Sequence, residues 1–468
     1  MRSQALAQLS ILDAWRLSAL AAAEVGVVPA TVQHVVVLAA AVAEPWLSEL
    51  PASVRLVAAY VFESSSGSGA LLAACPESLR KFKSCTVSAQ RVPDFDGPLA
   101  RLVALDLSGC AKLTCLPRTL SQMTALAMLD LGHCAALTSL PEVIGQLSAL
   151  TALNLSCCTS LACLPESVGR LAALQALRLG FCTALTRLPE SMGQLAVLTS
   201  LCPAWCFALT CLPEAIDQLT VLSTLDLSWC KALTYLPQSM GQLTAVITLN
   251  LNHCTTLKCL PGSVGQLTAL TVLNLGKCWA LTCLPDSVGL LAALTQLNLH
   301  ACRALTCLPE SIGQLAALRT LNLGECQALT CLPECFGQLA ALIKLNLKSC
   351  RALTCLPESM GQLTALKTLD LSVCLAISCL PESMGQLTNL TQLTMNHCAT
   401  TEDRRWAYGI LTANGQLGEF RQRLLALVIV GRRRDHRRKP RLPPELWCIV
   451  HSMLWRLQPE RQRRPAQT

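Results

Sequence analysis

Thirteen cysteines stand 24 residues apart, from Cys110, Cys134 and Cys158 through to Cys398, without one insertion or deletion between them. A phase held that strictly belongs to stacked units, each too small to bury its apolar face alone and each closed by its neighbours. Residues 222–245, LSTLDLSWCKALTYLPQSMGQLTA, show one unit. Leu222, Leu225 and Leu227 alternate as a strand requires. Cys230, Leu233, Leu236, Met240 and Leu243 carry the inward set on around the turn.

The phrase that closes on each cysteine is L-x-x-L-x-L-x-x-C, and at this period it is the signature of a leucine-rich repeat. The expected fold is α/β: a leucine-rich repeat solenoid, a curved right-handed horseshoe with a parallel sheet on the concave face and short helices or turns on the convex face. Composition agrees. The 468 residues are 52% hydrophobic and 14% charged, which excludes a disordered chain, and aromatics at 4% leave leucine, alanine and cysteine to fill the core. No run reaches the roughly 18 uninterrupted apolar residues of a membrane helix. The nearest, Leu17 to Leu47, is broken by Glu24, Pro29, Gln33 and His34, and Asp13 spoils a secretory leader. The expectation is a soluble, cytoplasmic monomer without a membrane span.

Four regions follow: 1–74, alanine- and valine-rich short helices of unassigned role; 75–98, a degenerate capping repeat; 99–400, thirteen repeats; and 401–468, a basic tail. The tail holds 15 Lys and Arg against 6 Asp and Glu, so the basicity of a chain of net charge +8 lies there. Its run RRRDHRRKPR, residues 432–441, reads as a solvated linker, a nuclear import address or a phosphate-binding patch. Aromatic residues do not interleave it, which disfavours nucleic-acid recognition.

Cysteine occurs 28 times. Beside the main column runs a second, Cys115, Cys163, Cys211, Cys259, Cys283, Cys307, Cys331, Cys355 and Cys379. Both follow the repeat phase and read as packing; without paired C-x2-C motifs no zinc site is expected, and no cofactor. Disulfides between adjacent repeats are within reach of the sheet spacing, but a reducing cytosol opposes them.

The motif L-P-E-S-[MIV]-G-Q-L, as at Leu308–Leu315 and Leu356–Leu363, resembles the intracellular leucine-rich repeats of plant disease-resistance proteins and of Ras-binding scaffold proteins. That resemblance implies protein binding. No G-x4-G-K-[ST] phosphate loop and no kinase H-R-D or D-F-G motif accompanies it. Pro357, Glu358 and Gly361 read as scaffold: proline setting φ, glutamate at the positive end of a short helix, glycine in the outer turn. Identical residues in every repeat cannot mark one active site, so no enzyme is expected.

Function is sought where repeats differ. A polar column runs between the strand leucines: Asp106, Asp130, Asn154, Arg178, Cys202, Asp226, Asn250, Asn274, Asn298, Asn322, Asn346, Asp370 and Thr394. Its mundane reading is a self-satisfied amide ladder. The residues flanking the main cysteines turn aromatic or basic in repeats four to seven: Phe181, Trp205, Phe207, Trp229, Lys231 and His253, with Arg178 nearby. Aromatics and arginine are what interface hot spots favour, so these seven are the candidate concave-face site for a protein partner. Within the same region Pro203 replaces a strand leucine and Asp217 a turn glycine, which predicts local distortion.

The segment Leu442-Pro443-Pro444-Glu445-Leu446-Trp447-Cys448-Ile449-Val450 resembles the opening of an F-box. By that resemblance Leu442, Pro443, Glu445, Leu446 and Ile449 contact a ubiquitin-ligase adaptor, with the repeats as substrate receptor. The competing reading is one amphipathic helix that covers the last repeat.

Overall fold

The computed structural model describes residues 99–395, residue 379 excepted, together with the backbone of four earlier strands. Strands β5 to β17, three residues each, recur every 24 residues from Ala104–Asp106 to Gln392–Thr394. All are parallel and in register, Leu249 facing Leu273 and Leu273 facing Leu297, so each leucine column runs straight through the core. The eight residues expected to point inward in the unit 222–245 are all buried.

Between strands each repeat makes one five-residue 3-10 helix, as at Glu310–Gln314 and Glu358–Gln362. Proline supplies the extended N-cap, with φ −68 at Pro309, and glutamate follows as the first helical residue. The carboxylate also reaches across to the next repeat: Glu166 Oε2 accepts the Ser191 amide at 3.1 Å, and Glu190 Oε2 the Ala215 amide at 3.1 Å. A negative group there meets the positive end of the next helix. The glycine serves a different purpose from the one expected. Its φ is not positive; a Cβ at Gly265 or Gly337 would instead run into the backbone carbonyl of Ser287 or Ser359 in the following repeat. Close stacking, not a tight turn, selects glycine.

The sheet continues toward the N-terminus through β1 Trp15–Ser18, β2 His34–Ala39, β3 Leu56–Val61 and β4 Lys81–Thr86. Partners along it are separated by 20 to 25 residues, Trp15 facing Val35, His34 facing Leu56, Leu56 facing Lys81 and Lys81 facing Ala104. Where short helices were expected before residue 75, the described segments are strands. Alanine suggests helix by propensity alone, but a sheet edge with unpaired amides offers a template that overrides it. Within 75–98, β4 is paired on both sides and so lies inside the sheet instead of capping it.

Pro203 has the local effect expected of it. β8 Ala176–Arg178 pairs with β9 Ser200–Cys202 over three residues, whereas β9 pairs with β10 Thr224–Asp226 over two. Elsewhere the residue after each strand donates its amide to the next repeat at 2.7–2.8 Å, as Leu155 does to Arg178 and Leu227 to Asn250. Proline has no amide to give. Beside it, the Leu179 to Cys202 bond stretches to 3.4 Å.

Candidate functional site

The residue before each main-column cysteine sits in the left-handed region, φ 58 to 64, at eleven non-glycine positions from His133 to Val373; repeat one has Gly109 there. That conformation costs about 1–2 kcal/mol per residue. It is held by an amide bond to the next repeat, Trp205 to Ser228 at 2.7 Å, Trp229 to Asn252 at 2.7 Å and His253 to Gly276 at 2.8 Å. A bond of that kind, worth about 0.5–1.5 kcal/mol net, largely offsets the strain.

The consequence for repeats four to seven is geometric. Identical backbone angles, repeated at strand spacing, lay successive side chains parallel. Phe181 stacks on Trp205 at 4.8 Å, Trp205 on Trp229 at 4.1 Å and Trp229 on His253 at 3.6 Å, each pair within 11° of parallel. Phe207 tilts against Trp205 at 6.0 Å, and Lys231 Nζ lies 4.7 Å from the Phe207 centroid and 5.3 Å from that of Trp229. Phe181 and Lys231 are exposed; Trp205, Phe207, Trp229 and His253 are half-buried. Burial first, then the charges of Lys277 and Lys231, lower the His253 pKa and favour the neutral imidazole at the end of the stack.

Six of the seven candidates are thus brought into one contiguous array. It stands in the turns at the C-terminal edge of the strands; Arg178 alone is on a strand, exposed, in the polar column. Sequence reasoning stopped two repeats early. Lys277 occupies the left-handed position after His253, and Trp279 and Arg303 occupy the position of Phe207 and Lys231 in later repeats, Arg303 lying 5.4 Å over the Trp279 ring. Their phase in the sequence was the signal that could have found them. The strip ends where Glu325 takes the left-handed position and meets His300 at 3.9 Å.

The polar column does two things. Its Oδ1 atoms accept the amide two residues on, Asp130 from Gly132 at 2.8 Å, Asn298 from His300 at 3.0 Å and Asn346 from Lys348 at 2.9 Å. Such Asx turns start the loop that places the left-handed residue. Amides also bridge repeats, Asn298 Nδ2 to Asn274 Oδ1 and Asn346 Nδ2 to Asn322 Oδ1, both 2.9 Å. Arg178 and Cys202 cannot make the Asx turn, and they fall at the start of the aromatic array.

The main cysteines from Cys110 to Cys374 are buried, and from Cys134 to Cys374 each thiol donates to a carbonyl of the preceding repeat at 3.0–3.3 Å. Burial pushes the Cys158, Cys230 and Cys278 thiols up to about 12. They are inert donors. The second column differs from the packing role expected of it: Cys163, Cys259, Cys283, Cys307, Cys331 and Cys355 are exposed. Among the described residues no three His, Cys, Asp or Glu side chains converge on a metal position, and no helix is long and apolar enough to cross a membrane.

A family model described as a leucine-rich repeat region matches residues 270–435. The fold of the chain is a leucine-rich repeat solenoid. Among solved structures, the Toll–Spatzle complex of Drosophila is 17% identical over 79% of this chain and 51% of that one, with a TM-score of 0.58. The TLR13–ssRNA13 complex is 19% identical over 85% and 60%, with a TM-score of 0.50. A leucine-rich repeat protein of Leptospira interrogans is 28% identical over 72% and 89%, with a TM-score of 0.46. The first two show the solenoid fold alone, and the third adds nothing to it. A search of curated protein sequences returned no match. The basic run 432–441 and the F-box-like residues Leu442, Pro443, Glu445, Leu446 and Ile449 lie outside the described residues of the solenoid chain.

Proposed function

We propose that the chain is a non-enzymatic interaction scaffold that binds a protein partner along the aromatic and basic strip of repeats four to nine. The observation that carries this reading is the contiguous stack Phe181–Trp205–Trp229–His253 with Lys231 beside it. In a chain with 4% aromatic residues, such a row at a partly exposed edge concentrates the side chains that dominate interface energies. Stacking consumes the ring faces, so a partner meets ring edges, which carry the positive side of the quadrupole. Lys231, Lys277 and Arg303 add three cations to the strip, and Arg178 adds a fourth on the adjoining strand. Both features fit a partner segment bearing carboxylates.

The test is capture of proteins from cell extract by the intact chain beside a Trp205→Ala, Trp229→Ala double variant. Specific partners should be lost with the double variant at unchanged folding, judged by circular dichroism, and wild-type capture should weaken several-fold between low and physiological salt. Undiminished capture of every partner by the double variant would remove the strip from consideration. A third bait ending at Thr400 separates the ubiquitin-ligase reading, in which adaptor subunits disappear with the tail.

A further inference from the structure

We infer that the exposed cysteine column of repeats seven to eleven is a binding row for a soft, two-coordinate cation, copper(I), held between thiolates of adjacent repeats. The column occupies Cys259, Cys283, Cys307, Cys331 and Cys355 in five successive repeats, and all five are exposed, unbridged thiols. In sequence it continues to Cys379.

Three observations fix the row. The backbone beside it is joined repeat to repeat, by the amides of Thr282 to Lys258 at 3.2 Å, Thr306 to Thr282 at 3.3 Å, Thr330 to Thr306 at 3.2 Å and Thr354 to Thr330 at 3.1 Å. Successive cysteines are therefore spaced at about the 4.8 Å of hydrogen-bonded strands. The sulfurs of Cys283, Cys307, Cys331 and Cys355 share one setting: the hydroxyls of Thr282, Thr306, Thr330 and Thr354 each lie 3.8 Å from the Sγ of the next residue. Neighbours in this phase also sense one another, since the Tyr235 hydroxyl, which follows Cys211 in the column, is pushed up chiefly by Cys211.

The spacing selects the chemistry. In-register parallel side chains keep their Cβ atoms near strand spacing, beyond the roughly 3.8 Å mean of a relaxed disulfide. A straight row cannot offer four ligands around one point, which agrees with the lack of any converging triad among the described residues and rules out tetrahedral zinc. Two metal–thiolate bonds of about 2.3 Å, the zinc–sulfur length, placed end to end span about 4.6 Å, close to the spacing of the row. Thiolate ligands select copper(I). On binding, two thiols each release a proton to solvent and one copper(I) joins their sulfurs, giving a bis-thiolate of net charge −1 with no change of oxidation state.

The decisive comparison keeps the number of thiols constant and changes only their spacing. In one triple variant, Cys331→Ser, Cys355→Ser and Cys379→Ser, the three remaining thiols 259, 283 and 307 are adjacent. In the other, Cys283→Ser, Cys331→Ser and Cys379→Ser, the remaining thiols 259, 307 and 355 are two repeats apart. Both full-length proteins are reduced, then titrated anaerobically with the acetonitrile complex of copper(I) against a chromophoric chelator, and protons released are counted. The adjacent variant should retain one ion more than the spaced variant, at least tenfold tighter than any other site left in it, with two protons released for that ion and a near-ultraviolet thiolate–copper band. Equal uptake by the two variants would overturn the inference, as would recovery of the row as disulfides after mild oxidation in place of copper binding. Because the readout is copper uptake, its failure leaves the partner-binding strip untouched, and loss of partner capture leaves the copper row untouched.

Discussion

From Cys134 to Cys374 each main-column cysteine does with a thiol what a longer polar side chain could do with an amide: it satisfies a buried carbonyl of the neighbouring repeat. A thiol is a weak donor, yet it is small and apolar enough to vanish into the leucine core. The arrangement carries a pH signature. Folded thiols titrate up to about 12, as at Cys158, Cys230 and Cys278, while the unfolded chain gives up the same protons near 9. Raised folded values mean that stability is full below the unfolded value and is lost as pH climbs toward the folded one. Unfolding free energy should be flat from pH 6 to about 8.5 and fall between about 9 and 12, by up to roughly 1.4 kcal/mol per pH unit for each ladder thiol. Chemical denaturation across that range measures the slope, and Cys278→Ala should lower it by one thiol's share. A slope that Cys278→Ala does not change would refute the ladder's part in it.

At the scale of elements, repeat five and its neighbour are the weak junction. Pro203 removes one inter-repeat bond on the sheet side. On the opposite side Asp217 stands where a Cβ meets the next repeat, and its buried Oδ1 has no hydrogen-bond partner. Asp217→Gly should stabilise the protein by about 1–3 kcal/mol, the cost of an unpaired buried polar group. Pro203→Leu should add about 0.5–1.5 kcal/mol through the restored amide. Because the two positions lie on opposite sides of the repeat and share no partner, their gains should add within about 0.5 kcal/mol in a double-mutant cycle; a larger coupling would show that the sheet side and the helix side relax together. The aromatic stack crosses this junction, with Trp205 held to Ser228 at 2.7 Å in spite of the proline and stacked on Trp229 at 4.1 Å. Each stacked pair contributes about 0.5–1.5 kcal/mol, enough to offset the lost bond.

For the whole molecule the energetics are those of a one-dimensional stack, intrinsic repeat terms plus nearest-neighbour interfaces. Removing residues 320–343 joins Arg319 to Lys344 in the same phase. That variant should fold cooperatively with a smaller denaturant slope, since less surface is exposed on unfolding. Removing only residues 320–331 puts every later leucine half a repeat out of phase, and the product should lose strand signal in circular dichroism. Equal folding of the two deletions would mean that phase does not govern the stack.

Period, inward residues, fold class and the parallel sheet were determined by the sequence itself, because a strict 24-residue repeat leaves one way to bury Leu225, Leu227 and Cys230 against copies of themselves. The sequence also named Phe181, Trp205, Trp229 and His253 as unusual. Only the tertiary structure decided that they form one stack, since that depends on a left-handed turn conformation repeated at strand spacing, which residue identity does not encode. It decided likewise that one cysteine column is buried and the other exposed. Both columns share the same period, and a period says which residues recur together but not which way the turn carries them. The strands before residue 75 were illegible for the opposite reason: without a repeated phase, alanine and valine composition carries no information on what edge the chain will meet.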